Sequence, residues 1–128
     1  MERERFERVW QRVQGAGSTA ERQLRGEAES VAFYAWLYER CPSCRREAAA
    51  LQREAQQSLQ TLRREYFLKH GENWEEPEQH LPEGSVLSAL RRQYGRELES
   101  AALAQGPLRM SRQRRAALLR TLLLRIIQ

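Results

Sequence analysis

Glutamate stands at three positions where the helical pattern otherwise places apolar side chains. Glu27 interrupts an apolar series with steps of three and four residues, and Glu97 interrupts a second series of the same kind. Glu54 lies on a third apolar stripe, with Gln57 three residues further along. A carboxylate on a buried stripe is costly unless it is protonated, paired with a cation or bound to a metal. The spacing therefore predicts a carboxylate cluster that converges in the core from three helices.

Three interpretations of these glutamates stay open. They could bind a metal ion, form buried ion pairs, or lie at solvated helix edges. Arginine is abundant in this chain and could form these ion pairs. Its planar guanidinium group can donate two hydrogen bonds to one carboxylate. In that case we expect Glu27 and Glu97 to face each other across the interior, with Glu54 nearby.

A second candidate for chemistry is the Cys-Pro-Ser-Cys motif at Cys41 and Cys44. At the N-terminus of a helix such a motif suits redox chemistry, because the helix dipole favours the thiolate. A zinc site would need two further ligands, from His70 and His80 or from a second chain. Free thiols in a turn, a redox disulfide and zinc therefore all stay open. Free thiols are the expectation for a reduced, cytosolic chain.

These side chains must be positioned by helices. Helix-forming residues dominate, β-branched residues are few, and no stretch alternates as a half-buried strand does. The sequence therefore predicts an all-α fold in one domain, with a short N-terminal helix and linker over residues 1–17 and a four-helix bundle over 18–128. The predicted helices extend over residues 2–13, 19–40, the stretch from the cysteine motif to 70, 85–105, and 111 to nearly 128.

The lengths of the connections predict the topology. Short turns join the first helix to the second and the third to the fourth, so each pair should form an antiparallel hairpin. Residues 71–84 form a long connection that contains two prolines. Two hairpins joined by one long crossover are the arrangement of ferritin-like bundles.

The segments that carry the glutamates resemble the helices of rubrerythrin-like proteins of the ferritin-like superfamily. Residues 26–34 look like the first metal-ligand helix of that family, in which a glutamate precedes a tyrosine by seven residues. Residues 53–57 are similar to its second helix, where Glu-x-x-His occurs, and residues 94–101 to its third. The resemblance covers roughly residues 19–105. It implies a four-helix bundle, non-haem iron binding and oxidoreductase activity on peroxide or oxygen.

The chain also departs from that pattern. Gln57 stands where the second helix should offer histidine, and an amide oxygen is a weak neutral ligand. The fourth helix, which should carry Glu-x-x-His, has neither an acid nor a histidine. The resemblance implies that Arg112 and Arg115 lie near the level of these missing ligands, so they are the expected donors to the glutamates. By resemblance only Glu27, Glu54 and Glu97 remain of the usual six ligands. A standard di-iron centre therefore cannot be assembled from these positions.

Charge and hydropathy exclude some functional classes. The formal net charge is +5, and the excess comes from six arginines between Arg109 and the end of the chain, a stretch without acids. No Gly-rich phosphate loop and no basic-aromatic motif typical of nucleic-acid binding occurs. The apolar runs are too short for a membrane span, and the charged N-terminus does not resemble a signal peptide, so a cytoplasmic location is expected.

Three hypotheses of function follow. The first is a rubrerythrin-like bundle whose di-iron site is incomplete. The second is a helical interaction module that forms a homodimer or docks a partner through the bundle faces or the fourth helix, where Leu122 to Leu124 widen the apolar face. The third is a thiol redox protein that uses Cys41 and Cys44.

Overall fold

The computed structural model describes residues 19–127, and the predicted N-terminal helix lies outside this range. The described part of the chain contains four α-helices, one 3-10 turn and no strand, which confirms the all-α prediction. The helices are α1 (Thr19–Arg40), α2 (Arg45–His70), α3 (Val86–Leu103) and α4 (Gly106–Ile127), and the 3-10 turn is Pro42–Cys44.

A glycine ends α2 and a serine caps the start of α3. Gly71 ends α2 in the left-handed conformation, with φ of 73°, and its amide donates to the carbonyl of Phe67. Ser85 caps α3, since its Oγ accepts a hydrogen bond of 3.1 Å from the amide of Ser88. Both ends lie where the sequence predicted them.

The start of α4 differs from the prediction. The helix begins at Gly106, whereas Ser111 was the predicted cap; Ser111 lies inside the helix and is buried. Gly106 adopts the left-handed conformation, with φ of 57°, which favours glycine. Pro107 is well tolerated in the first turn of the helix, because it has no amide hydrogen that would be left unpaired there. Arg109 then donates to the carbonyl of Ala101, which satisfies an acceptor at the end of α3.

The closest packing joins α1 to α2 and α3 to α4, and smaller contacts join α1 to α3 and α2 to α4. The backbones of α1 and α4 make few or no close approaches, so only long side chains can connect these two helices through the interior. The larger core cluster lies towards the end that carries the cysteines and includes Tyr34, Leu37, Cys44, Leu51, Leu90, Leu119 and Leu122.

A smaller apolar cluster lies between α1 and α2 and contains Leu24, Ala28 and Leu59. Trp74, from the long connection between α2 and α3, packs against it. The guanidinium group of Arg63 lies 5.8 Å from the centre of the Trp74 ring, so a cation–π contact also ties the connection to α2. Within residues 19–127 no helix is long and apolar enough to cross a membrane.

Candidate functional site

Two of the three predicted glutamates lie in the interior together with two arginines of α4. Glu27, Glu97 and Arg115 have no exposed surface, and Arg112 is 2% exposed. These four residues, called the Glu–Arg cluster below, carry two negative and two positive formal charges. The structure thus confirms that Glu27 and Glu97 meet in the core with Arg112 and Arg115 as donors.

The geometry of the cluster is that of strong ion pairs. Arg115 binds Glu27 with two hydrogen bonds, of 2.9 Å from Nη1 to Oε2 and 2.7 Å from Nη2 to Oε1. Arg112 adds a contact of 2.7 Å from Nη2 to Oε1 of Glu27. Both arginines also approach Oε1 of Glu97, at 3.5 Å from Arg112 and 3.6 Å from Arg115. The paired planar geometry adds both strength and direction to these contacts.

Three neutral donors bind one oxygen of Glu97, whereas its Oε2 is buried without a hydrogen-bond partner. Its Oε1 accepts hydrogen bonds from Ser30 Oγ at 2.8 Å, Gln93 Nε2 at 3.0 Å and the Tyr34 hydroxyl at 3.1 Å. Sequence reasoning assigned Tyr34 to the core but overlooked Ser30 and Gln93. Their spacing could have identified them. Ser30 follows Glu27 by three residues and Gln93 precedes Glu97 by four, so each lies on the same face of its helix as the nearby glutamate.

Burial and charge act in opposite directions on these groups. Burial raises the pKa of Glu27, although the hydrogen bonds and charge of Arg115 and the charge of Arg112 oppose it. Burial lowers the pKa of Arg115, but its bonds to Glu27 and the charge of Glu97 outweigh this, so the pKa is raised. Burial, assisted by the charge of Glu97, raises the pKa of Tyr34 well above 10. Tyr34 therefore stays a protonated donor at neutral pH.

The third predicted glutamate does not join the cluster. Glu54 lies at the bundle surface, where its side chain is 30% exposed and its Oε1 is 2.6 Å from Nη2 of Arg114. Gln57 is exposed. Both residues line an open groove of about 640 Å³ between α2 and the start of α4. The structure therefore brings Glu27 and Glu97 together and places Glu54 and Gln57 elsewhere.

These residues do not fit the di-iron centre that the family resemblance implies. Among residues 19–127 no three histidine, cysteine or acidic side chains are grouped so that they could hold a metal ion. The two interior carboxylates already bind guanidinium groups, and a cation added beside Arg112 and Arg115 would be repelled by two positive charges. The Glu–Arg cluster is an ion-pair network in which arginine supplies the positive charge.

The cysteine motif forms the second candidate site. Cys41 and Cys44 are joined by a disulfide, which corrects the expectation of free thiols. The 3-10 turn holds their Cα atoms 5.2 Å apart, within the range that disulfides span. Cys44 is fully buried in the larger core cluster, whereas Cys41 is partly exposed. The motif therefore has one sulfur accessible to solvent and one that is not.

A helix N-terminus and two arginine contacts lie beside this motif. Cys44 directly precedes α2, whose N-terminus carries the positive end of the helix dipole. Arg125 of α4 donates to the carbonyl of Ser43 at 3.0 Å and to Glu47 at 2.7 Å, and this contact lowers the pKa of Glu47. Arg45 donates to the carbonyl of Tyr38 at 3.1 Å. The helix N-terminus favours a thiolate at Cys44 once the disulfide is reduced, whereas burial of Cys44 in the apolar core opposes it.

The apolar face of α4 is mostly used inside the bundle. Leu119, Leu122 and Leu123 are buried, and only Leu124 and Ile127 of the large apolar residues in its second half are exposed. The other exposed positions in this half of the helix are Ala117, Arg120, Thr121 and Arg125. The widened apolar stripe therefore packs against the other helices, which removes most of the surface that suggested docking or self-association.

No family model, curated protein or solved structure matches this chain.

Proposed function

We propose that this chain is a thiol–disulfide redox protein built on a ferritin-like bundle that uses no metal. The observation that carries the redox function is the Cys41–Cys44 disulfide, with an accessible Cys41, a buried Cys44 and a helix N-terminus beside them. Disulfides in cytosolic proteins are usually transient and take part in redox reactions. We propose a cytoplasmic location, in which this pair would cycle between dithiol and disulfide.

The reaction assigns a different task to each sulfur. In the reduced protein the Cys41 thiolate attacks a disulfide of a partner, forms a mixed disulfide and releases one partner thiolate. The Cys44 thiolate then attacks the Cys41 sulfur, which re-forms the internal disulfide and releases the second partner thiolate. Two electrons pass to the partner, and its two thiolates take up the two protons that the cysteines lost. The reverse sequence oxidises a partner dithiol.

The ferritin-like part of the proposal is supported by the order of the helices. Two hairpins, α1 with α2 and α3 with α4, joined by the connection over residues 71–85, would give the contacts observed between neighbouring helices. Single glutamates project inward from α1 and α3, as in di-iron bundles. Arg112 and Arg115 have the three-residue spacing of Glu-x-x-His on the fourth helix. Arginine then occupies both ligand positions of α4.

The redox function is tested with single-cysteine variants. The reduced Cys44→Ser protein, mixed with glutathione disulfide, should gain one glutathione on Cys41, because Cys41 is accessible and nothing resolves the mixed disulfide. Intact-protein mass spectrometry measures the rate. The matched Cys41→Ser variant should react at least tenfold more slowly, because its remaining thiol is buried. Equal rates for the two variants would overturn the proposal.

The metal content of the purified protein tests whether the interior binds a metal ion. Protein purified without chelator should contain far less than one iron or zinc ion per chain by elemental analysis, because the interior carboxylates are bound to arginine. An iron content near one per chain that disappears in Glu27→Gln or Glu54→Gln would contradict this expectation and would support the di-iron alternative.

A further inference from the structure

We propose that the groove between α1 and α3 binds a small molecule that carries phosphate or carboxylate groups. The groove has a volume of about 310 Å³ and lies directly over the Glu–Arg cluster. This volume is at the lower end of the range for small-molecule sites, which favours a compact ligand. The site is separate from the cysteine motif, so it can be tested independently of the redox function.

The floor of the groove contains buried polar side chains. Arg112, Ser30 and Gln93 line it, and each is only 2% exposed. Gly26 is also part of the wall; a Cβ atom at this position would lie 3.1 Å from Nη2 of Arg112. The glycine therefore leaves room for the guanidinium beside the groove. The Nε of Arg112 is buried and has no hydrogen-bond partner, so this side chain is incompletely satisfied.

The rim adds further positive charge. Arg22, Arg25 and Arg96 line it and are exposed. Within the described part of the chain, Arg22 and Arg96 form no ion pair within 4 Å, and Arg25 lies 4.0 Å from Glu21. The charge of Arg112 is balanced within the Glu–Arg cluster, so the rim contributes three guanidinium groups against two carboxylates, those of Glu29 and Glu99.

A smaller recess of about 80 Å³ shares Arg22, Arg112 and Ser100 with this groove. Arg22 and Arg112 thus line both spaces, and of the two Arg22 is the exposed one. Guanidinium groups bind phosphate and carboxylate oxygens through paired hydrogen bonds, and they stay charged at any physiological pH. This combination of size and charge points to a compact anion with more than one anionic group.

Isothermal titration with pyrophosphate and with citrate, at constant ionic strength, tests the proposal. The wild-type protein should bind at least one of the two saturably, and the Arg22→Ala/Arg96→Ala double variant should bind it at least tenfold more weakly. The matched control is Arg64→Ala/Arg120→Ala, which removes the same charge from exposed positions outside the groove lining. Its affinity should stay within about twofold of the wild type, a difference well below the 1.4 kcal/mol of a tenfold change.

The outcomes separate the ligand classes. Tighter binding of pyrophosphate assigns the groove to phosphate-bearing molecules, and tighter binding of citrate assigns it to carboxylates. The absence of saturable binding of both anions up to about 10 mM, or an equal loss of affinity in the control variant, would overturn the proposal. Neither result affects the cysteine experiment.

Discussion

Replacement of Arg115 by methionine should lower the free energy of unfolding by about 3–5 kcal/mol, as expected when one partner of a buried ion pair is removed. Arg115 is fully buried, and both of its terminal nitrogens donate hydrogen bonds to Glu27. Without it, two carboxylates would face Arg112 alone, with one negative charge uncompensated in the core. Chemical denaturation followed by circular dichroism measures the effect.

Two further variants identify the cause. Arg114→Met, one residue earlier on α4, removes an arginine whose side chain is 60% exposed and pairs with Glu54, so its cost should be at most about 1 kcal/mol. The double variant Glu27→Leu/Arg115→Met removes one charge of each sign and should be much more stable than Arg115→Met alone. A loss for Arg115→Met as small as that for Arg114→Met would refute the buried-charge interpretation.

Truncation of Leu90 to alanine should cost about 2–5 kcal/mol, because the leucine is fully buried in the larger core cluster and its loss leaves a cavity. Leu98→Ala on the same helix is the matched control, since Leu98 is 46% exposed and the change should cost about 0.5 kcal/mol or less. The same denaturation experiment compares the two. Similar losses at both positions would mean that α3 presents a different face to the core.

The apolar stripes predicted from the sequence match the buried faces of α1 and α3. Leu24, Glu27 and Tyr34 on α1 are buried, as are Leu90 and Glu97 on α3. Helical periodicity could predict this because the stripes have steady steps of three and four residues, so one polar member stands out. Charge indicated that the donors on α4 are arginines, because a buried carboxylate needs a cation, but α4 carries six arginines. The choice of Arg112 and Arg115 came from their position near the ligand level that the resemblance implied.

Other features could not be predicted from the pattern. Glu54 precedes the buried Ala55 by one position, at the edge of the α2 stripe. A long side chain at such an edge can reach solvent, and here it pairs with Arg114. Gly106 and Pro107 lie in the first turn of α4, after α3 has ended at Leu103, so the predicted start at residue 111 was too late. The spacing of Cys41 and Cys44 allows a disulfide, but it does not specify the oxidation state.

The mutual neutralisation in the Glu–Arg cluster also bears on how the chain can evolve. Natural domains are stable by only about 5–15 kcal/mol, so a single substitution that leaves one buried charge unpaired removes a large share of that margin. The four charges can therefore change safely only in compensating pairs. Conversion to a metal-binding interior would require carboxylate and imidazole side chains to replace both guanidinium groups almost together. The network thus limits how the interior can change, because most single substitutions within it leave one buried charge unpaired.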